Sequence, residues 1–329
     1  MAEFEYVMNA AKIGSEEFKA TGVAFAFWIF QHSKDDPSYS DALKYFEILD
    51  TLLIVYGPDE DINNIIQNSD NYQAIVSGNF GSPKKEFPDI DSNTILSVKH
   101  KGIVILNDPS LTLFKKNMVA PILIKDLISD WPALTKWRNP SFWLNTAGHR
   151  FFPVEIGNNY LSKNWKQDIM QLKQYLDNYI FRIDPENIAY IAQHNWLHQI
   201  PSLSQDFSTP DLCEIYLNPN QDRPLIHMWF GMKGTFSPLH FDKYNNIFTQ
   251  IVGYKYFLLV DPRFSEVIKN GSDNNTCNIE SENLFNFLNL RNIPYNEIIL
   301  KPGDSLFIPE NWWHQVKSLS FSISTSFWF

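Results

Sequence analysis

A chain of 329 residues is long enough for one large domain or two ordinary ones, and its 44% hydrophobic, 15% aromatic and 19% charged residues exclude disordered, collagen-like and coiled-coil classes. Its 27 basic and 37 acidic side chains leave a net charge of −10, which repels polyanions, so nucleic acid and anionic membrane surfaces are disfavoured as partners. Cys213 and Cys277 lie too far apart for a zinc ribbon or a redox pair and read as two unpaired thiols in a reducing compartment.

Glu3 to about Val76 carries a helical pattern. Apolar residues recur at spacings of three and four through Phe18, Val23, Phe25 and Ile29, then through Ala42, Tyr45, Phe46, Leu49, Leu52 and Leu53, with Asp36-Pro37 and Gly57-Pro58 as breaks. Three or four helices are expected. The opening Met-Ala-Glu-Phe-Glu has no basic region of a signal peptide. The apolar run Val23 to Phe30 is far short of the ~18 residues of a membrane span. The expected setting is intracellular: cytoplasmic, with the nucleus also open.

Ser77 to Asn93, rich in glycine, proline and lysine, reads as a linker. It divides an α-helical N-terminal domain, 1–90, from a second domain, 91–329. That second part changes to short strand-like runs: Ile103 to Ile105, Pro121 to Ile124, Phe152 to Ile156. Two helices are expected among them, Lys166 to Tyr179 and Glu282 to Leu290. From Leu319 to Phe329 apolar or β-branched residues alternate mostly with serine, the period-two mark of a half-buried strand. The fold class is mainly β with α.

Chemistry concentrates in Gly234-Thr-Phe-Ser-Pro-Leu-His240-Phe-Asp242. A histidine and an acid two residues apart project from one face of a strand, so both reach one metal ion. With 8 histidines and 37 acids in the chain, roughly one such pair arises by chance, and a surface pair is the alternative. A partner stands in Lys301-Pro-Gly-Asp304 through Pro309 to Trp313-His314, where a turn leads into an apolar run that a proline ends. Two imidazoles and one carboxylate form the facial triad of non-haem Fe(II) sites. Alone, His314 also reads as a satisfied histidine beside two tryptophans, Trp312 and Trp313.

Lys255 is the one charge between Ile247 and Val260. A lysine in an apolar strand costs several kcal/mol unless a counter-ion or solvent meets it. A ligand carboxylate is one partner; a lysine snorkelling at a strand edge is the alternative.

Trp229 to Pro262 together with Lys301 to Phe329 resembles a JmjC domain of the 2-oxoglutarate-dependent oxygenase superfamily. The resemblance implies a double-stranded β-helix, a jelly roll of the cupin type, with its core at about 190–329. Tyr190-Ile-Ala-Gln-His, Gln199-Ile-Pro-Ser-Leu and Ser322-Ile-Ser-Thr-Ser-Phe-Trp are similar to arginyl hydroxylases of that family, which also carry a helical N-terminal part. Trp131-Pro-Ala and Pro153-Val-Glu-Ile-Gly extend the likeness upstream. By that resemblance His240, Asp242 and His314 hold Fe(II), Lys255 pairs with the distal carboxylate of 2-oxoglutarate, and Tyr190, Ser237 and Asn246 hydrogen-bond this co-substrate, with O2 as the other. Glu155, Trp165, Gln193 and Trp229 then hold the target side chain. The implied activity is hydroxylation of a protein side chain, arginine first, on a basic segment. Lysine demethylation, tRNA hydroxylation and a non-catalytic JmjC interaction module are the alternatives. Phe241 and Lys243 depart from the family pattern, which bears on substrate choice.

Overall fold

In the computed structural model, which describes residues 19, 22–26, 28–29, 38–69, 86–88, 102–107, 109–157, 161–182, 187–269, 275–277 and 281–329, the serine-rich C-terminal alternation lies at the middle of a large sheet. The strands are β1 (Val104–Asn107), β2 (Ile122–Lys125), β3 (Phe151–Ile156), β4 (Lys166–Gln171), β5 (Ala189–His194), β6 (Leu225–Gly231) and β7 (Phe236–His240). They continue as β8 (Asn246–Val252), β9 (Lys255–Val260), β10 (Tyr295–Leu300), β11 (Ser305–Ile308), β12 (Trp313–Ser318) and β13 (Ser322–Trp328). Among the described residues they form a nine-stranded sheet, β1-β2-β11-β8-β13-β6-β5-β3-β4, and a four-stranded sheet, β10-β9-β12-β7. From β6 onward the chain passes back and forth between the two, the double-stranded β-helix of a cupin-type jelly roll. Leu123, Phe248, Phe257, Leu259, Ile298 and Leu306 fill the space between the sheets.

The C-terminal strand departs from its expected half-burial: six of its seven residues are buried. Its apolar side chains, Ile323 and Phe327, join a core that includes Trp131, Trp143, Trp196 and Phe230. Its serines turn the other way: Ser326 lines the barrel cavity, and Ser324 donates to the Gln250 amide oxygen at 2.8 Å. Both faces are covered, and the polar face meets a polar interior rather than water.

Two expectations change. Residues 166–171, rich in helix-tolerant Lys, Gln and Met, form β4 because all six pair with Phe151–Ile156; the cross-strand partner overrides local preference. Helix begins only at Leu172. The run Ile247 to Val260 is two strands in different sheets, broken at Gly253. Gly253 has φ +74°, and a Cβ there would run into the Phe321 carbonyl, so the break requires glycine. Gln250 secures it by donating to the Val252 and Gly253 carbonyls at 2.7 and 3.0 Å. The expected helix near 282–290 is present at Ser281–Leu290.

The helical reading holds where the N-terminal part is described. Helix α1 (Tyr39–Tyr56) is capped by Ser38, whose hydroxyl accepts from the Asp41 N–H, and ends at Gly57; α2 (Glu60–Gln67) is capped by Asp59. Ala42, Tyr45, Phe46, Leu49, Leu52 and Leu53 form the buried face, as their spacing predicts. Asp50 on α1 is also fully buried and pairs with Arg150, just before β3. Most of the expected linker, including the boundary at 90, lies outside the described residues, as do most of residues 1–37. Within the linker, Phe87 stacks on Phe321 with ring centroids 4.0 Å apart. Cys213 and Cys277 are free and buried. No described helix is long and apolar enough to cross a membrane.

Candidate metal centre and its cavity

His240 ends β7 and His314 is the second residue of β12, and antiparallel pairing sets the two directly opposite each other. The expectation for His314 is refined: it lies within a strand of its own, β12, ahead of the alternating β13. Asp242 is not on the strand with His240 but in the loop that follows, where its carbonyl accepts from the Asn311 N–H at 2.7 Å. Asn245 closes the loop through paired backbone bonds with Phe329 at 3.1 and 3.0 Å. Each of the three offers one ligand atom, and these atoms lie within 4.8 Å of one another.

The ring nitrogens are assigned by their partners. Nδ1 of His240 donates to the Pro238 carbonyl at 2.7 Å, and Nδ1 of His314 to the Trp312 carbonyl at 3.0 Å. A carbonyl only accepts, so both Nδ1 atoms carry the proton and both Nε2 lone pairs face inward. Burial and the neighbouring His240 ring lower the His314 pKa to about 4, against the opposing pull of Asp242. A neutral imidazole is the form that ligates a metal. His314 Nε2 stands 3.6 Å from an Asp242 oxygen.

The triad forms one wall of a narrow cavity lined also by Tyr190, Gln193, Trp229, Ser237, Asn246, Lys255, Ser326 and Trp328. Lys255 opens β9 in its depth, 1% exposed, which removes the strand-edge reading. Its Nζ donates to the Tyr190 hydroxyl at 2.8 Å and lies 5.1–5.7 Å from the ring centroids of Phe248, Tyr190 and Trp229. Among the described residues no carboxylate pairs with it. Burial lowers its pKa from 10.5 to about 7, and the three ring faces offset part of that penalty on the ammonium. The Asn246 side-chain oxygen is buried without a hydrogen-bond partner.

These residues fit a divalent metal beside an acidic small molecule. The donor set is two imidazoles and a carboxylate, and 2-oxoglutarate is a dicarboxylate whose negative charge the unpaired ammonium would meet.

The residues expected to hold a target side chain divide. Gln193 and Trp229 line the cavity; Glu155 and Trp165 do not. Glu155 on β3 is the register partner of Tyr190 on β5, so it shares the face of a cavity residue one strand away. It accepts from the Trp165 indole N–H at 3.3 Å, and burial raises its pKa. Phe241 packs against Trp313, ring centroids 4.9 Å apart, in the cluster beyond the small sheet, and Lys243 is exposed. Ser326 and Trp328 escape the motif reading, although their place two residues apart on an alternating strand puts both on the inward face.

A family model described as "Cupin-like domain" matches residues 113–329. The chain is 36% identical over 253 residues to a Xenopus tropicalis protein named lysine-specific demethylase 8, covering 73% of this chain and 54% of that one. It is 35% identical over 241 residues to the Drosophila melanogaster Jumonji C domain-containing protein 5, covering 68% and 58%. With JmjC domain-containing protein F of Dictyostelium discoideum it shares 29% identity over 378 residues, 88% and 78% of the two chains. The chain thus spans little more than half the length of the first two relatives. A jelly roll matched along 113–329 and relatives of the JmjC class lead to one conclusion: the chain belongs to the cupin-like family, as a JmjC-domain protein.

Proposed function

We propose that the chain is an Fe(II)- and 2-oxoglutarate-dependent oxygenase that hydroxylates a side chain of a protein substrate, and that the side chain is arginine. The observation that carries the oxygenase reading is the single cavity holding His240, Asp242 and His314 on one wall and the unpaired Lys255 in its depth. Iron with 2-oxoglutarate and O2 supplies the oxidising chemistry when bound. The protein's own part is orientation. His240, Asp242 and His314 would hold the metal through two imidazole nitrogens and one carboxylate oxygen. Lys255 receives the far carboxylate of the co-substrate. Tyr190, already accepting from Lys255, keeps its own O–H to donate to the same carboxylate, beside Ser237 and Asn246.

Arginine is supported by the pairing of an acid with aromatic faces. Glu155 offers two oxygens to a guanidinium fork, and Trp165 and Trp229 offer planes for it to stack on, with Gln193 at the exposed mouth. The net charge of −10 favours a basic target segment. The printed names of the Xenopus relative and its counterparts favour a second reading, lysine demethylation. Incubating an arginine peptide and a methyl-lysine peptide with Fe(II), 2-oxoglutarate and air separates them. Mass spectrometry should show one added oxygen on arginine, whereas formaldehyde from the second peptide would favour demethylation.

A further inference from the structure

Gln193, at the cavity mouth, is a non-glycine residue with φ +46°, at the point where the pairing of β5 with β6 slips between Ile191 and His194. Such a backbone persists only where its surroundings over-determine it. The restraint is visible in the next residue. His194 Nε2 donates to the Gln199 amide oxygen, and since that oxygen only accepts, Nε2 carries the proton. The Gln199 amide nitrogen donates to Asp50 at 2.8 Å and to the Phe151 carbonyl at 3.0 Å. Asp50 also accepts from Arg150 Nε and from the Phe151 N–H at 2.8 Å. Arg150 Nη1 returns to the Gln199 carbonyl at 2.9 Å. Asp50, Gln199 and Arg150 are 0%, 2% and 5% exposed, so no water replaces a lost link.

We propose that Asp50 on helix α1 is a positioning residue for substrate recognition: through Gln199 and His194 it holds the left-handed backbone that sets Gln193 at the cavity mouth. This rests on the reading that the mouth receives a protein substrate, and it gives the helical N-terminal part a role in that site. Asp50 touches neither the metal site nor the co-substrate pocket. Its loss should therefore spare both and loosen only the approach to them.

The test compares the full chain with Asp50→Asn and Gln199→Met. Asp50→Asn leaves Arg150 unpaired and can unfold the protein; Gln199→Met keeps the Asp50–Arg150 pair and removes the Gln199 side-chain bonds to His194, Asp50 and the Phe151 carbonyl, so that Asp50 no longer reaches His194. Amide hydrogen exchange over 189–195, read without substrate, should quicken about tenfold in Gln199→Met, with exchange in β8 and β13 unchanged. Co-substrate affinity and uncoupled 2-oxoglutarate consumption should match the parent protein. With an arginine peptide, KM should rise about fivefold at unchanged kcat. Unchanged exchange at Gln193 and His194 overturns the proposal, and so does faster exchange with an unaltered KM. Because exchange is read on the free protein, absence of arginine turnover by the parent would count against the substrate reading and leave the exchange result to decide the coupling.

Discussion

His240 and His314 face each other across an antiparallel strand pair, ring centroids 4.2 Å apart, and each ring is held by the backbone carbonyl two residues earlier in its own chain segment. The two imidazoles therefore need no second side chain to fix their tautomers. What they lack is charge, which Asp242 alone among the three provides. Asp242→Ala should abolish Fe(II) binding and turnover while leaving the melting temperature within a few degrees, because the loop is still closed by backbone bonds to Asn311 and Phe329. Metal titration and a thermal melt check this; full succinate production by the variant would refute the assignment.

Lys255→Ala should weaken 2-oxoglutarate binding by about 2–5 kcal/mol, the cost of truncating one partner of a buried charge pair. Metal content should be unaffected, since Lys255 is not among the three grouped side chains. Calorimetric titration of the metal-loaded protein gives the number. Unchanged affinity would mean that the lysine is structural.

The same lysine makes a pH prediction. Its pKa is lowered from 10.5 to about 7 by burial, so between those values the unfolded chain binds a proton that the folded protein does not. Stability of the ligand-free protein should then rise with pH across that window, by at most about 1.4 kcal/mol per unit from this residue. Lys255→Met should lack that increment. Urea unfolding of both proteins at pH 7 and pH 9 measures the difference, and parallel behaviour would show that the ammonium persists in the empty cavity.

Glu155→Gln removes the charge opposite the proposed guanidinium but keeps an acceptor for the Trp165 indole. Turnover of an arginine peptide should fall far more than uncoupled 2-oxoglutarate consumption, because substrate placement changes and the metal site does not. A lysine-for-arginine peptide should be poor, since an ammonium lacks the planar fork. Equal rates on the two peptides would remove Glu155 from the site.

The sequence by itself determined the residue types of the centre and the class of the fold. His240-Phe-Asp242, the distant His314 and the isolated charge of Lys255 stand out because a jelly roll places its chemistry on short, motif-bearing strand ends. The buried face of α1 was legible for the same reason that any amphipathic helix is: its period is local. Tertiary structure decided what depends on partners. Whether Lys166 to Gln171 is helix or strand depended on pairing with β3, and whether Ile247 to Val260 is one strand or two depended on a carbonyl, that of Phe321, far away in sequence. The serine face of β13 read as solvent-facing because a polar face in sequence carries no mark of whether it meets water or an enclosed polar cavity. Asp50, Gln199 and His194 were invisible as a unit, since a hydrogen-bonded network across elements has no sequence period, and only the packing of α1 against β3 brings its members together.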